Sequence, residues 1–211
     1  MALQALIAAQ TPEQAEEAEK RKRAQLIKDK ELNLVGCRIP GFFPTPPAVI
    51  SLMLEEANIQ PGDQILEPSA GTGNLADAAR DAGGEVVCVE CQYSLAEILE
   101  LKGHNTRRAD FLTENFWPLP GFDKILMNPP FEKGQDAEHV RRAFGFLKPG
   151  GRLVAIMSEG TFFRSDSQAE EFRAWLRDVE GRSERLPEGS FKNTGEVSQT
   201  GTAARIVVIS K

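Results

Sequence analysis

The chain has little of the side-chain equipment used for disulfide, metal or redox chemistry: three cysteines, two histidines and one tyrosine among 211 residues. Three cysteines (Cys37, Cys88 and Cys91) are too few and too odd in number for a disulfide framework. Cys88 and Cys91 spell Cys-x-x-Cys, but no second pair accompanies them. A closed zinc site needs about four ligands, so these thiols read as small buried groups and no metal is expected. His104, in a Gly-His-Asn turn, and His139, in a helical pattern, read as surface or packing residues rather than catalysts. No apolar run approaches the roughly eighteen residues of a membrane span. Met1 to Gln10 lacks the basic start and long apolar stretch of a signal peptide. A soluble, cytoplasmic protein is expected. A formal charge of −6 argues against holding long nucleic acid by charge alone. Local basic pairs are nevertheless present at Arg107-Arg108, Arg141-Arg142 and Arg182/Arg185.

What is present is one domain's worth of core, 41% of the residues being hydrophobic. Residues 1–40 read as an N-terminal helical arm and residues 41–211 as the domain. Thr11 to Glu31 is charged and helix-favouring, opened by Thr-Pro. Gly41-Phe-Phe-Pro-Thr-Pro-Pro47 then forms a stiff lead-in to a helix, with Thr45 as N-cap and Pro46 in the first turn, running to about Asn58. Beyond Pro61-Gly62-Asp63 the pattern alternates. Strands are expected near 64–67, 86–90, 124–127, 152–157 and 203–209, with a weaker one near 105–108. Helices are expected near 75–82, 94–101, 137–146 and 168–179. Such alternation predicts a mostly parallel sheet with crossover helices on both faces.

The chemistry gathers at strand ends. Glu67-Pro-Ser-Ala-Gly-Thr-Gly73 follows a strand and opens a helix, so Gly71 and Gly73 permit a tight turn and close approach of a ligand. A dinucleotide fingerprint would carry a third glycine where this chain has Ala76, and no lysine completes a Walker phosphate loop. The next strand ends at Glu90, whose carboxylate can accept from both hydroxyls of a ribose. Asp110 and Phe111 follow the third strand and suit an adenine, one by accepting from its amino group and the other by lying against its ring. Open α/β sheets bind ligands at this edge. Next to it, Asn128-Pro129-Pro130-Phe131 ends the run Lys124 to Met127. Carbonyls at the start of such a turn accept from a planar NH2, the prolines preset the backbone, and the aromatic ring offers a stacking face.

In order, Phe-Pro-Thr-Pro-Pro, Glu-Pro-Ser-Ala-Gly-Thr-Gly, Val-Cys-Val-Glu, Ala-Asp-Phe and Asn-Pro-Pro-Phe resemble the motifs of class I S-adenosylmethionine-dependent methyltransferases, above all the N6-adenine DNA enzymes. The resemblance covers about residues 41 to 160. It implies an α/β, Rossmann-like fold with a seven-stranded, mostly parallel sheet whose last strand, Ala203 to Ile209, inserts antiparallel. It implies S-adenosylmethionine as cofactor, its methionine part held by Thr45, Glu67, Pro68, Ser69, Ala70, Gly71 and Gly73. Glu90 would hold the ribose with Cys91 beside it, and Asp110 and Phe111 the adenine. Asn128 would border the cofactor and, with the Pro129 carbonyl, grip the target NH2 while Phe131 stacks on the target ring. Phe191 resembles the family's second aromatic against the target base, an alternative to ordinary core packing. A base inside a duplex would need flipping.

Sequence-selective members of the family carry a target-recognition domain, and none follows Lys211 in this chain. The resemblance therefore implies minimal recognition, a protein partner or oligomer that supplies it, or a substrate other than duplex DNA. DNA adenine is the first expectation. An RNA base amino group or a protein glutamine amide is the alternative, and a non-catalytic cofactor-binding scaffold the second.

Overall fold

A computed structural model describes residues 11–34, 39–113, 121–191 and 203–211. The sheet is built from β1 (Gln64–Glu67), β2 (Glu85–Glu90), β3 (Asn105–Arg108), β4 (Phe122–Met127), β5 (Leu147–Ser158), β6 (Arg182–Arg185) and β7 (Ala204–Ser210). Their order is β3-β2-β1-β4-β5-β7-β6. The first five run parallel, and β7 is antiparallel to both of its neighbours.

The central strands are apolar on both faces because both are covered. Leu66, Ile125, Met127, Leu153, Ala155, Met157, Val207 and Ile209 pack with Val140 and Ala143 of α5 (Gln135–Gly145) and with Phe172 and Leu176 of α7 (Ser167–Asp178). Alternate residues, among them Ile65, Leu126, Val154, Ile156, Ile206 and Val208, meet Val49, Met53 and Ala57 of α2 (Pro47–Ala57) and Leu75 and Ala79 of α3 (Asn74–Asp81). α4 (Tyr93–Leu101) buries Leu95, Ala96, Ile98 and Leu99. α6 (Gly160–Phe163) is a single turn after β5.

Three local expectations are corrected. Thr45 does not cap α2: Pro46, extended at φ −66° and ψ 149°, is the N-cap and Pro47 the first helical residue, because a residue followed by proline is driven out of the helical region. β5 begins at Leu147 rather than near 152; Leu147 pairs with Phe122 and a register shift carries the pairing on to Lys124 and Arg152. β6 is an addition to the expected strands. Arg-Ser-Glu-Arg has no apolar alternation, and as an edge strand it needs only its backbone bonds to β7.

The first helix, α1 (Pro12–Leu34), has no buried residue. Thr11 and Gln14 form a reciprocal capping box, with Gln14 N donating to Thr11 Oγ1 at 3.2 Å and Thr11 N to Gln14 Oε1 at 3.0 Å. Its last turns meet α4 through Lys30–Glu97 at 2.8 Å and Glu31–Lys102 at 3.0 Å.

Candidate active site

A cleft of about 480 Å³ runs along the carboxyl ends of β1 to β4. Its floor is the turn from Glu67 to Gly73, in which Gly71 (φ 56°) and Gly73 (φ 86°) take left-handed backbone conformations that glycine adopts without penalty. Ala70 N donates to Val89 O at 3.1 Å and Gly73 N to Ala70 O at 2.8 Å, which moors the turn to β2. A side chain at Gly71 would collide with the Phe42 ring, 2.6 Å from where its Cβ would lie. Gly73 shapes the start of α3 rather than the cleft wall.

Glu90 Oε2 accepts from Gly71 N at 2.9 Å and Oε1 from Gln92 N at 2.7 Å. A carboxylate offers about four acceptor sites, so hydroxyl groups of a ligand still find capacity there. Burial raises the Glu90 pKa against the opposing effect of those amides. Glu67 lies deeper, 3% exposed, and its Oε2 is buried without a hydrogen-bond partner. Burial, reinforced by the Glu90 and Asp77 charges, pushes its carboxyl well above the ordinary range. Cys91 and the exposed Asp110 complete this side, Asp110 Oδ1 accepting from Leu112 N at 2.9 Å. Phe111 is 2% exposed, held between the rings of His139 (5.5 Å) and Phe146 (5.9 Å).

Asn128 lines the other end of the cleft. Its Nδ2 donates to Phe43 O at 3.0 Å and to Thr45 Oγ1 at 3.1 Å. A carbonyl can only accept, so Phe43 O decides the orientation of the amide and leaves Oδ1 as the acceptor end. Thr45 thus positions Asn128 and also lines the cleft. The lead-in stays over the turn through Gly41 N, which donates to Glu132 Oε1 at 3.1 Å. Pro130 reaches the cleft. Pro129 is buried, and Phe131 is half-buried with its ring stacked 6.4 Å from Phe43 at 15°. Phe191, 8% exposed, belongs to the core cluster against which Phe131 packs and is not among the residues lining the cleft.

His139 is the residue whose place sequence reasoning missed. It is buried at the cleft, its Nδ1 3.3 Å from Ser69 Oγ, and burial pushes its pKa down to about 4. Only packing of α5 across the β1 turn brings it there, and no local motif announces it. His104 is buried too, its Nε2 2.8 Å from Asp77 Oδ1 at the base of α3. Phe42, Phe43 and Lys133 also line the cleft. Among the described residues no cluster of three His, Cys, Asp or Glu side chains could hold a metal ion, and no helix is long and apolar enough to cross a membrane. Cys88 is fully buried, and Cys37 lies outside the described residues.

A buried carboxyl with one unpartnered oxygen, a second carboxylate at the end of β2 and a third after β3 give the cleft acceptors able to take hydrogen bonds from ammonium, hydroxyl or amino groups.

No protein-family model matches the chain. It is similar to the type II restriction enzyme and methyltransferase RM.BcgI of Heyndrickxia coagulans, 29% identical over 153 residues, covering 57% of this chain and 24% of the relative. It is also similar to the dimethyladenosine transferase of Kluyveromyces lactis, 32% identical over 91 residues, covering 41% of this chain and 28% of the relative. The matches thus span about a quarter of those relatives' length. Among solved structures, a modification subunit of a putative type I restriction enzyme from Vibrio vulnificus superposes with a TM-score of 0.69 at 20% identity, over 92% of this chain and 49% of that one. A putative class I S-adenosylmethionine-dependent methyltransferase from Listeria monocytogenes does so at 0.64 and 17% identity, over 90% and 68%. With its seven-stranded sheet, antiparallel β7 and cleft at the strand ends, the chain has the fold of the class I S-adenosylmethionine-dependent methyltransferases.

Proposed function

We propose that the chain binds S-adenosylmethionine in this cleft and methylates an exocyclic amino group, with N6 of adenine in DNA as the substrate. The observation that carries the reading is the Asn128 amide. Its NH2 end is committed to Phe43 O and Thr45 Oγ1, so the residue presents an acceptor, as a grip on a target NH2 requires. Glu67 and the Ser69 to Gly71 backbone would hold the methionine part of the cofactor, Glu90 the ribose, and Asp110 with Phe111 the adenine. Glu67 Oε2, buried and unpartnered, fits an incoming ammonium. Bound there, the cofactor supplies a methyl group made electrophilic by a sulfonium.

An amino group conjugated with its ring is a poor nucleophile. Acceptors at Asn128 Oδ1 and the Pro129 carbonyl draw on its hydrogens and favour a nitrogen whose lone pair is free. Positioning and electrostatics then supply most of the rate. No covalent adduct with the chain is needed. Lys133 and Pro130 line the same cleft as Asn128, and the proposed substrate would approach from there.

Adenine is supported by the similarity to dimethyladenosine transferases. The restriction enzyme's name supports DNA, and ribosomal RNA methyltransferases among the relatives support adenine in RNA as a second reading. A partner that supplies target recognition accords with the likeness to a modification subunit. The test is transfer of labelled methyl from S-adenosylmethionine to DNA, RNA and protein fractions, with mass spectrometry of the product. Label at adenine N6 in DNA is expected. Label confined to RNA moves the substrate and keeps the chemistry, whereas cofactor binding without any labelled fraction overturns the enzymatic reading.

A further inference from the structure

Phe163 is the most exposed large apolar side chain among the described residues, at 73%. A lone exposed ring is ordinary; its setting is not. The turn that carries it, α6, is pinned from beneath. Asp136, fully buried on α5, accepts from Ser158 N at 2.9 Å and Thr161 Oγ1 at 2.9 Å. Arg173 Nη1 donates to Thr161 O at 2.9 Å and Arg164 O at 2.8 Å. Phe162, the neighbour, turns inward on Phe172 at 6.2 Å and under Arg205. The chain thus fixes the backbone on both sides of Phe163 and leaves the ring in water.

Its position along the sheet edge gives the ring a use. From β3 to β5 the strand ends present Asp110, Glu90, the Glu67 turn, the Asn128 turn and then α6. The proposed cofactor residues lie on one side of Asn128, and Phe163 follows β5, the strand next to β4 on the other side. The segment after the Asn128 turn meets α7 and the residue that follows α6. Gln168 Nε2 donates to Gly134 O at 3.3 Å, and Arg164 Nη2 lies 3.3 Å from where a Gly134 Cβ would be. Two cations flank this junction. Arg164 has its Nε 3.2 Å from Asp166 Oδ2, without hydrogen-bond geometry. Lys133, exposed, holds a left-handed backbone (φ 54°, ψ 22°) that side-chain-bearing residues disfavour.

We propose that Phe163, with Arg164 and Lys133, is a stacking platform for a nucleotide adjacent to the target base in a single-stranded or locally opened nucleic acid. A rigid ring flanked by cations matches that ligand, since a base stacks on the ring while neighbouring phosphates pair with the cations. The platform rests on the proposed nucleic-acid substrate and adds where the flanking strand lies.

The test is fluorescence anisotropy of the full chain with S-adenosylhomocysteine and labelled single-stranded DNA and RNA oligonucleotides of one adenine-containing sequence. Phe163→Ala is expected to weaken binding roughly 5- to 150-fold, Phe163→Trp to retain it, and neither to move the thermal midpoint. Arg164→Ala is expected to lower the salt slope by about 0.7. If the wild-type chain binds and Phe163→Ala binds equally well, the platform is wrong and the nucleic-acid reading stands. If the wild-type chain binds neither strand, both fall. Binding of one strand alone identifies it as the source of the ligand.

Discussion

Glu67 should make the unliganded protein less stable and the cofactor complex tighter, and Glu67→Gln separates the two effects. The side chain is buried at 3% exposure with Oε2 unpartnered, and burial first, then the Glu90 charge, raises its pKa well above the ordinary value. A carboxyl whose folded pKa exceeds its unfolded one costs no stability below the unfolded value. The cost then grows as pH rises toward the folded value, at about 1.4 kcal/mol per unit. Glutamine keeps the shape and cannot ionise. Removing that cost should raise the melting midpoint at neutral to alkaline pH, by about 2–4 °C for each kcal/mol removed in a chain of this size. A cationic ligand reverses the balance. Its ammonium favours the carboxylate, so a proton leaves on binding and affinity should climb with pH by up to about tenfold per unit between the liganded and unliganded pKa values. Calorimetry in buffers of different ionisation enthalpy reads the released proton, and differential scanning reads the midpoint. A Glu67→Gln variant that melts no higher than wild type and binds S-adenosylmethionine with the same pH-dependent affinity would refute the argument.

Asn128→Ala removes the acceptor without touching Glu67 or Glu90, so cofactor affinity should stay within about threefold while methyl transfer falls by about 10²–10³; labelled transfer at saturating cofactor measures it, and undiminished turnover would count against the grip. Glu90→Ala strips the acceptor from the Gly71 and Gln92 amides as well as from the ligand, and cofactor binding by calorimetry should weaken by about tenfold or more. Asp136→Ala leaves Ala137 N, Ser158 N and Thr161 Oγ1 without their buried acceptor. Urea denaturation should show a loss of about 3 kcal/mol or more, and a loss below about 1 kcal/mol would mean that water or rearrangement satisfies those donors.

Much of the fold is legible because its central strands are buried on two faces. Val86 to Glu90, Lys124 to Met127 and Arg152 to Met157 are apolar runs too short for helices, and each ends close to where its strand does. The structure lengthens the second and third, since Phe122 and Leu147 pair beyond a register shift. β6 is illegible because an edge strand is held by backbone bonds and carries no apolar signature. The Thr-Pro-Pro run places Thr45 one residue too early as the helix cap, and the structure gives its hydroxyl to Asn128 instead.

At the site, sequence order alone determines that Glu67, Gly71, Glu90, Asp110 and Asn128 come together. Each ends or follows a parallel strand, and parallel strands present their carboxyl ends on one edge. What such ordering cannot decide is how side chains are shared among elements far apart in the chain. Tertiary packing alone orients the Asn128 amide through Phe43, brings His139 to Ser69, seats Phe191 in the core and leaves Phe163 in water. Motif residues are specified by their own strand and turn, whereas burial and hydrogen-bond partnership depend on which helices cover that edge, and that depends on the whole fold.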